Sequence, residues 1–127
     1  EPHMIGIGPF IPHQETPFAH QPPGTLSQTL ALLSVLRILF PHILLPATTA
    51  LATICDGGRE RGILAGANVV MPNLSPLSVR KKYLLYDHKA GTGAEAAEGL
   101  RELKKRMSAI GYQIVVSRGD YKAASAL

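Results

Sequence analysis

The sequence contains one cysteine, Cys55, and no uninterrupted hydrophobic run of membrane-spanning length. A single thiol excludes a disulfide framework within the chain and favours a reducing, cytoplasmic setting. The most apolar stretch, residues 29–45, is interrupted by Arg37, Pro41 and His42. Because a transmembrane helix needs about 20 consecutive apolar residues, this stretch predicts a buried helix followed by a buried strand, and no membrane contact.

Charged residues are scarce as well, at 17% of the chain against 46% hydrophobic residues, which is typical of a globular domain. The formal net charge is +4. The basic residues of the last predicted helix alternate with glutamates, and no aromatic residues stand between them to stack on bases. We therefore expect no nucleic-acid partner. The five histidines are dispersed without the spacing of a metal site, so no metal ligands are predicted.

Three short apolar runs each end abruptly in Pro, Thr, Asn or Ser: residues 4–13, 45–54 and 66–76. Helical patterns separate them, and this alternation is typical of strand–helix units of a parallel α/β fold. In a barrel of this kind the chemistry lies at the carboxyl ends of the strands. A complete (β/α)8 barrel takes about 250 residues, so the 127 residues of this chain predict only part of one.

Local signals set the element boundaries. Thr25 and Gln28 form the pattern of a capping box, and Pro41 ends the helix that follows. This helix is apolar nearly all round, which predicts packing on more than one side. The further elements expected are a strand over 43–47 that opens at Thr48 and Thr49, a helix over 59–65, a strand over 68–71, helices over 76–86 and 94–110, and an extended segment over 112–117.

Five sequence pieces carry a resemblance to a known family: GIGPFIPH, LPATTA, GANVVMPN, the pair Tyr83-x-x-Tyr86, and GYQIVVSRGD near the C-terminus. In this order and spacing they resemble the C-terminal half of the HydE family of radical S-adenosylmethionine enzymes. These enzymes are maturases that help to assemble the [FeFe]-hydrogenase cluster. The match runs from about Met4 to Asp120, which is nearly the whole chain.

The resemblance implies a partial TIM barrel, with strands six to eight and their helices in residues 1–75. Residues 76–127 would then form a C-terminal extension, largely helical, that closes the barrel. The family uses a [4Fe–4S] cluster to cleave S-adenosylmethionine to a 5′-deoxyadenosyl radical, which acts on a small sulfur- or iron-bearing substrate. Its Cys-x-x-x-Cys-x-x-Cys motif is absent here, so we expect this chain alone to bind neither cluster nor cofactor and to be inactive.

The resemblance also implies which residues meet the ligands, although it identifies no catalytic residue. Substrate contacts are expected from Thr48, Thr49, Met71, Tyr83 and Tyr86. Backbone near S-adenosylmethionine is expected from Gly6, Gly8 and Pro9. From the residues alone, a strand-end threonine pair, a core methionine and a packed tyrosine pair are equally ordinary structural features.

The expected partners are a small-molecule substrate, the missing N-terminal half of the barrel and other hydrogenase maturation factors. The chain could also self-associate, because the inward faces of a partial barrel lack a partner. Two alternatives stay open: another radical enzyme of the biotin synthase and methylornithine synthase group, or a non-catalytic half-barrel binding module. The strand over 68–71 has no arginine, which argues against biotin synthase chemistry.

Overall fold

The chain alternates helices with short parallel strands. A computed structural model describes residues 2–80, 82 and 96–121. In chain order the elements are α1 (Leu26–Leu39), β1 (Pro46–Ala47), α2 (Thr49–Ile54), α3 (Gly58–Leu64), β2 (Val69–Val70), α4 (Leu77–Arg80) and α5 (Ala96–Ala109). The fold is therefore α/β with few strands and a helical C-terminal part, as the sequence predicts. Within the described ranges no helix is long and apolar enough to cross a bilayer.

Three chain segments run in parallel through the centre of the fold. β1 and β2 pair in parallel, with Pro46 opposite Val69. On the other side of β1, Met4 and Leu44 form a parallel bridge, in which the Ile5 N–H donates to the Leu44 carbonyl at 3.0 Å. The next donor along this edge of β1 would be Pro46, which has no N–H, so the pairing stops after one bridge. The spatial order is thus residues 3–5, β1, β2.

Helix α1 begins and ends where its sequence signals predict. The Thr25 Oγ1 atom accepts from the Gln28 N–H at 3.3 Å, and Thr25 is the N-cap residue. At the other end the last helical residue, Leu39, is two positions before Pro41. Ser34 donates to the Ala65 carbonyl at 3.0 Å, and Arg37 donates through Nε to the Gly66 carbonyl at 2.8 Å. These two bonds fix α1 against the end of α3.

The core lies between the three parallel segments and the helices on one face of them. Gly62 on α3 lies so close to β1 that a Cβ atom there would be 3.2 Å from the Cβ of Ala47. Helix α5 contributes two side chains to the same cluster. The buried hydrophobic residues are Leu33, Ile43, Leu45, Ala47, Leu51, Ile63, Ala67, Leu103 and Met107.

The sequence predictions fail at two places. Residues 49–54 form helix α2 directly after β1, where the prediction had a loop leading from Thr49 to the next turn. The reason is tertiary, because Leu51 of this helix is fully buried against the core. The second failure is α1, which packs on fewer sides than expected: four of its large apolar residues are at least half exposed in the described structure, Leu32, Val35, Ile38 and Leu39.

The C-terminal segment is extended and crosses the start of the strands. Gly111 ends α5 with φ of 83°, and the Tyr112 N–H donates to the Met107 carbonyl at 3.0 Å. The segment then encloses a cavity of about 430 Å³ with strand-start residues that include Leu44 and Asn68. Farther on, the Tyr121 ring stacks on His3 with centroids 4.6 Å apart. The segment therefore spans the amino ends of all three parallel segments.

Candidate functional site at the strand ends

One row of residues crosses the carboxyl ends of the three parallel segments, on the face away from the helices. Side chains alternate between the two faces of a strand. Because Leu45 and Ala47 point into the core on the helix side, Leu44, Pro46 and Thr48 face the opposite way. Extending the register by four residues from the Met4–Leu44 pair sets Gly8 beside Thr48, and the close contact of the two agrees with this. Extending the register by two residues from the Pro46–Val69 pair predicts that Met71 lies on the other side of Thr48. We call them the strand-end row: Gly8, Thr48 and Met71.

The contact between Gly8 and Thr48 is close. A Cβ atom at position 8 would lie 2.8 Å from Thr48 Oγ1, so any side chain there would press on the hydroxyl group. Thr48 has extended backbone angles (φ −73°, ψ 161°) and continues the direction of β1. Glycine at position 8 therefore lets this backbone pack directly against the Thr48 hydroxyl, which no residue with a side chain could do.

The Thr48 hydroxyl group is buried and has no hydrogen-bond partner within the described part of the chain. It also makes no capping bond to α2, although Thr48 is the N-cap residue of that helix. A buried polar group without a partner costs about 1–3 kcal/mol, so such groups are rare in folded proteins. A ligand oxygen or nitrogen could satisfy it after a small shift of the Thr48 side chain or of Gly8, which together cover the hydroxyl in this structure.

The other residues predicted around this site take varied positions. Met71 is 54% exposed, and Met4 on the same face is 47% exposed. Pro9 is buried, whereas Gly6 is exposed and a Cβ atom there would meet nothing within 4 Å. Tyr83 and Tyr86 lie outside the described residues.

Thr49 has a different environment from Thr48, although the two are adjacent. It is the first residue of α2, and its Oγ1 accepts a hydrogen bond from Arg59 Nη2 at 2.8 Å. A hydroxyl group has one proton and two lone pairs. The bond from Arg59 occupies one lone pair, and no acceptor for the Thr49 proton is seen among the described residues. Nothing in the sequence pointed to Arg59, which lies ten residues further along the chain and on another helix.

A cluster of charged residues joins α5 to the turn between α2 and α3. Arg106 donates to Asp56 at 2.7 Å and also to Glu60. The Arg106 guanidinium, by hydrogen bond and by charge, holds the pKa of the Asp56 carboxyl below its ordinary value. The cluster borders a cavity of about 780 Å³ between α3 and α5 that no member of the strand-end row lines. The cavity is lined by four acidic and four basic residues, and we assign the charged cluster a structural role.

The donor set of the chain does not fit an iron–sulfur cluster. Among the described residues, no group of three or more His, Cys, Asp or Glu side chains lies close enough together to hold a metal ion. The whole sequence contains one cysteine, and three thiolates are needed to hold the cluster of this enzyme class. Any such cluster must be held by residues outside this chain.

Comparison with known proteins agrees with the sequence motifs. The chain is 50% identical over 86 residues, 68% of its length, to the [FeFe] hydrogenase maturase subunit HydE of Thermotoga maritima. The chain is HydE-like. Two 3-methylornithine synthases are also similar, from Methanosarcina acetivorans (28% identity over 89% of the chain) and Methanosarcina barkeri (38% over 68%). No protein-family model matches the sequence.

These alignments confirm the predicted resemblance to HydE and its radical S-adenosylmethionine relatives. They cover only part of each relative: 25% of the length of HydE, and 31% and 24% of the two synthases. The HydE-like chain thus spans from about a quarter to less than a third of the length of these relatives.

Proposed function

We propose that residues 1–127 belong to a longer radical S-adenosylmethionine enzyme of the HydE type that acts in maturation of the [FeFe]-hydrogenase cluster. In this proposal the three parallel segments are strands six to eight of a TIM barrel, within residues 1–75. Residues 76–127 form the extension that closes the barrel. The observation that carries the proposal is the buried Thr48 hydroxyl at a strand end, which packs against Gly8 and has no hydrogen-bond partner in the described part of the chain.

The strand-end row fits the polar part of a small ligand. The Thr48 hydroxyl would donate its proton to an anionic or carbonyl oxygen. Because the hydroxyl is covered in this structure, the Thr48 side chain would turn, or Gly8 would shift, when the ligand binds. The half-exposed Met71 thioether would pack against an apolar or sulfur-bearing part of the same ligand. Both S-adenosylmethionine and a small sulfur- or iron-bearing substrate offer these groups. Sites at the carboxyl ends of barrel strands serve many different chemistries in this way.

The neighbouring residues would support this site. Arg59 donates to the Thr49 hydroxyl at the start of α2. This bond would hold the hydroxyl in a defined orientation. Gly6 and Pro9 would shape the backbone beside the nucleoside, and Tyr83 and Tyr86 would complete the cavity from the extension. When bound together in the complete enzyme, S-adenosylmethionine and the cluster supply radical chemistry. This chain would bind, orient and shield the reacting molecule from water.

The partners follow from the same proposal. The remainder of the barrel must hold the cluster, because one cysteine cannot. Other hydrogenase maturation factors would deliver the substrate or take the product, in a cytoplasmic setting. On its own the 127-residue chain would be inactive.

Anaerobic reconstitution of the full-length polypeptide that contains this chain tests the proposal. We expect about four irons per polypeptide, an electron paramagnetic resonance signal of a reduced [4Fe–4S] cluster, and a change in that signal when S-adenosylmethionine is added. The 127-residue chain, treated identically, serves as the control and should take up no cluster. A full-length polypeptide without a cluster, or with a cluster that does not respond to S-adenosylmethionine, would contradict the proposal.

A second candidate is 3-methylornithine synthase activity, which is favoured by the alignment that covers 89% of the chain. The reconstituted full-length protein distinguishes the two. An enzyme of the HydE type should restore hydrogenase activity to a maturation mixture that lacks HydE and should form no 3-methylornithine. Formation of 3-methylornithine without restored hydrogenase activity would transfer the assignment to the second candidate.

A further inference from the structure

Arg59 reaches the strand ends from another helix. It lies on α3, and its Nη2 atom donates to Thr49 Oγ1 on α2 at 2.8 Å, although the two residues are ten positions apart in the chain. Both side chains are partly buried. The bond therefore brings a guanidinium group, which is charged at every physiological pH, to the residue next to Thr48.

The turn that carries Arg59 is fixed on two sides. On one side, Gly58 packs so closely on α2 that a Cβ atom there would lie 2.0 Å from the Leu51 carbonyl oxygen. On the other side, Arg106 of α5 donates to Glu60, which is the next residue along α3. The Arg59 side chain therefore extends from a backbone that is held against both neighbouring helices.

The Thr49 hydroxyl group is bonded differently from two other helical threonines. Thr29 donates its proton to the Thr25 carbonyl at 3.0 Å, and Thr53 donates to the Thr49 carbonyl at 3.0 Å. Both bonds go to the carbonyl four residues back, as is common in helices. Thr49 is the first residue of α2, so four residues back the chain is not yet helical. No acceptor for the Thr49 proton is seen among the described residues.

The bond from Arg59 sets the polarity of the Thr49 hydroxyl group. An isolated hydroxyl group rotates, so its one proton can take the place of either lone pair. Here one lone pair is occupied by a guanidinium, which can only donate, and a hydrogen bond to a charged group is roughly twice as strong as a neutral one. The proton is therefore kept away from Arg59. The same positive charge polarises the O–H bond and repels a second cation.

We propose that Arg59 is a positioning residue for the candidate site at the strand ends. It directs the Thr49 proton toward the ligand, and it thereby favours a ligand oxygen over an ammonium group at this position. Arg59 acts through Thr49 and does not itself touch the ligand. The inference rests on the proposed function, because it requires that Thr49 contacts the ligand. The bond from Arg106 to Glu60 then serves the site indirectly, since it holds the turn from which Arg59 extends.

A double-mutant cycle on the 127-residue chain tests the bond itself. Arg59→Met should lower the urea midpoint of the unsubstituted chain, and it should lower the midpoint less in Thr49→Val, where the bond is already lost. Arg61→Met is the matched control, because Arg61 is an exposed arginine on the same helix that approaches Cys55 instead of Thr49. Its effect on the midpoint should be the same with and without Thr49→Val.

The same variants of the full-length, anaerobically reconstituted polypeptide test the positioning role. The measurement is activity per cluster well below the melting temperature, scored as restored hydrogenase activity or as 3-methylornithine formed, whichever the unsubstituted protein shows. Thr49→Val should lower this activity about twofold to tenfold, the effect of one lost hydrogen bond. Arg59→Met should lower it by no more than that and should cause no further loss in Thr49→Val. Arg59→Lys, which keeps a charged donor, should recover part of the activity, and Arg61→Met should keep all of it.

Three results would overturn the inference. Full activity per cluster in Arg59→Met would mean that the bond only joins two helices. A loss in Arg59→Met that is undiminished in Thr49→Val would mean that Arg59 acts independently of Thr49. Equal effects of Arg59→Met on both urea midpoints would show that the bond is absent. A full-length protein with neither activity would instead contradict the proposed function, and the positioning role with it, even where the urea cycle confirms the bond.

Discussion

Replacing each of the adjacent threonines by valine should change the stability of the 127-residue chain in opposite directions. Valine keeps the branched shape of threonine and removes its hydroxyl group. At position 48 that group is buried and unpaired, so its removal should stabilise the ligand-free fold. At position 49 it accepts from Arg59 at 2.8 Å, so its removal should destabilise the fold.

The magnitudes follow from the two environments. An unpaired buried hydroxyl costs about 1–3 kcal/mol, and because Thr48 as a whole is only partly buried we expect a gain of about 1 kcal/mol from Thr48→Val. A hydrogen bond from a charged donor contributes about 1.5–3 kcal/mol; since this one is partly buried, we expect Thr49→Val to cost about 1–2 kcal/mol. The two variants should therefore differ by about 2–3 kcal/mol.

Urea unfolding, followed by circular dichroism, measures this difference. With a slope of about 1–3 kcal/mol per molar urea, the midpoints of the two variants should be about 1 M apart, on either side of the unsubstituted chain. Equal midpoints, or a loss of stability in Thr48→Val, would mean that the Thr48 hydroxyl already has a partner within the protein. The argument that it awaits a ligand would then fail.

Two further predictions concern the helices around the core. Arg106→Gln should lower the melting temperature at neutral pH, because it removes the partner of Asp56. Arg106 holds the pKa of Asp56 below its ordinary value of 3.8, so the stabilisation from this ion pair should be complete above that pH and should disappear as acid protonates the carboxylate of the folded protein. Melting temperatures of both proteins between pH 7 and pH 2.5 would detect this loss. Melting curves that stay equally far apart at all these pH values would contradict this. Gly58→Ala should destabilise the chain by about 3 kcal/mol, because its Cβ atom would lie 2.0 Å from the Leu51 carbonyl oxygen. Gly57→Ala is the control: its Cβ atom would meet nothing within 4 Å, so only the left-handed backbone should cost about 1–2 kcal/mol. Equal losses of stability in urea unfolding would refute the packing argument.

Signals that act over a few residues were predictable from the sequence. The Thr25 cap, the end of α1 before Pro41 and the turn at Gly111 each depend on local hydrogen bonds or backbone angles. The parallel α/β fold followed from the alternation of apolar runs with helical patterns. Helix α2 could not be predicted this way, since it is only six residues long and owes its burial to packing of Leu51 against distant residues.

The candidate site was predictable in part. The sequence pointed to Thr48, Thr49 and Met71 as strand-end residues, but not to the change of direction between the two threonines. The two side chains differ because Thr48 still continues β1, whereas Thr49 already begins α2. A shift of this boundary by one residue would reverse their orientations. The contact of Arg59 with Thr49 spans ten residues, and the contact of Arg106 with Asp56 spans 50. Both contacts join different elements, so no periodic pattern within one helix or strand could reveal them.

The most direct test of the strand-end site compares two threonine variants of the full-length, anaerobically reconstituted protein. Thr48→Val removes the hydroxyl of the strand-end row, and Thr29→Val removes a buried hydroxyl on α1 that already donates to the Thr25 carbonyl at 3.0 Å. The measurement is the hydrogenase activity that each restores to a maturation mixture lacking HydE. We predict that Thr48→Val lowers this activity by between about twofold and tenfold, the effect of one lost hydrogen bond. The cluster signal should be unchanged, and Thr29→Val should keep full activity. Full activity in Thr48→Val, or an equal loss in both variants, would contradict the assignment of the strand-end row as a ligand site.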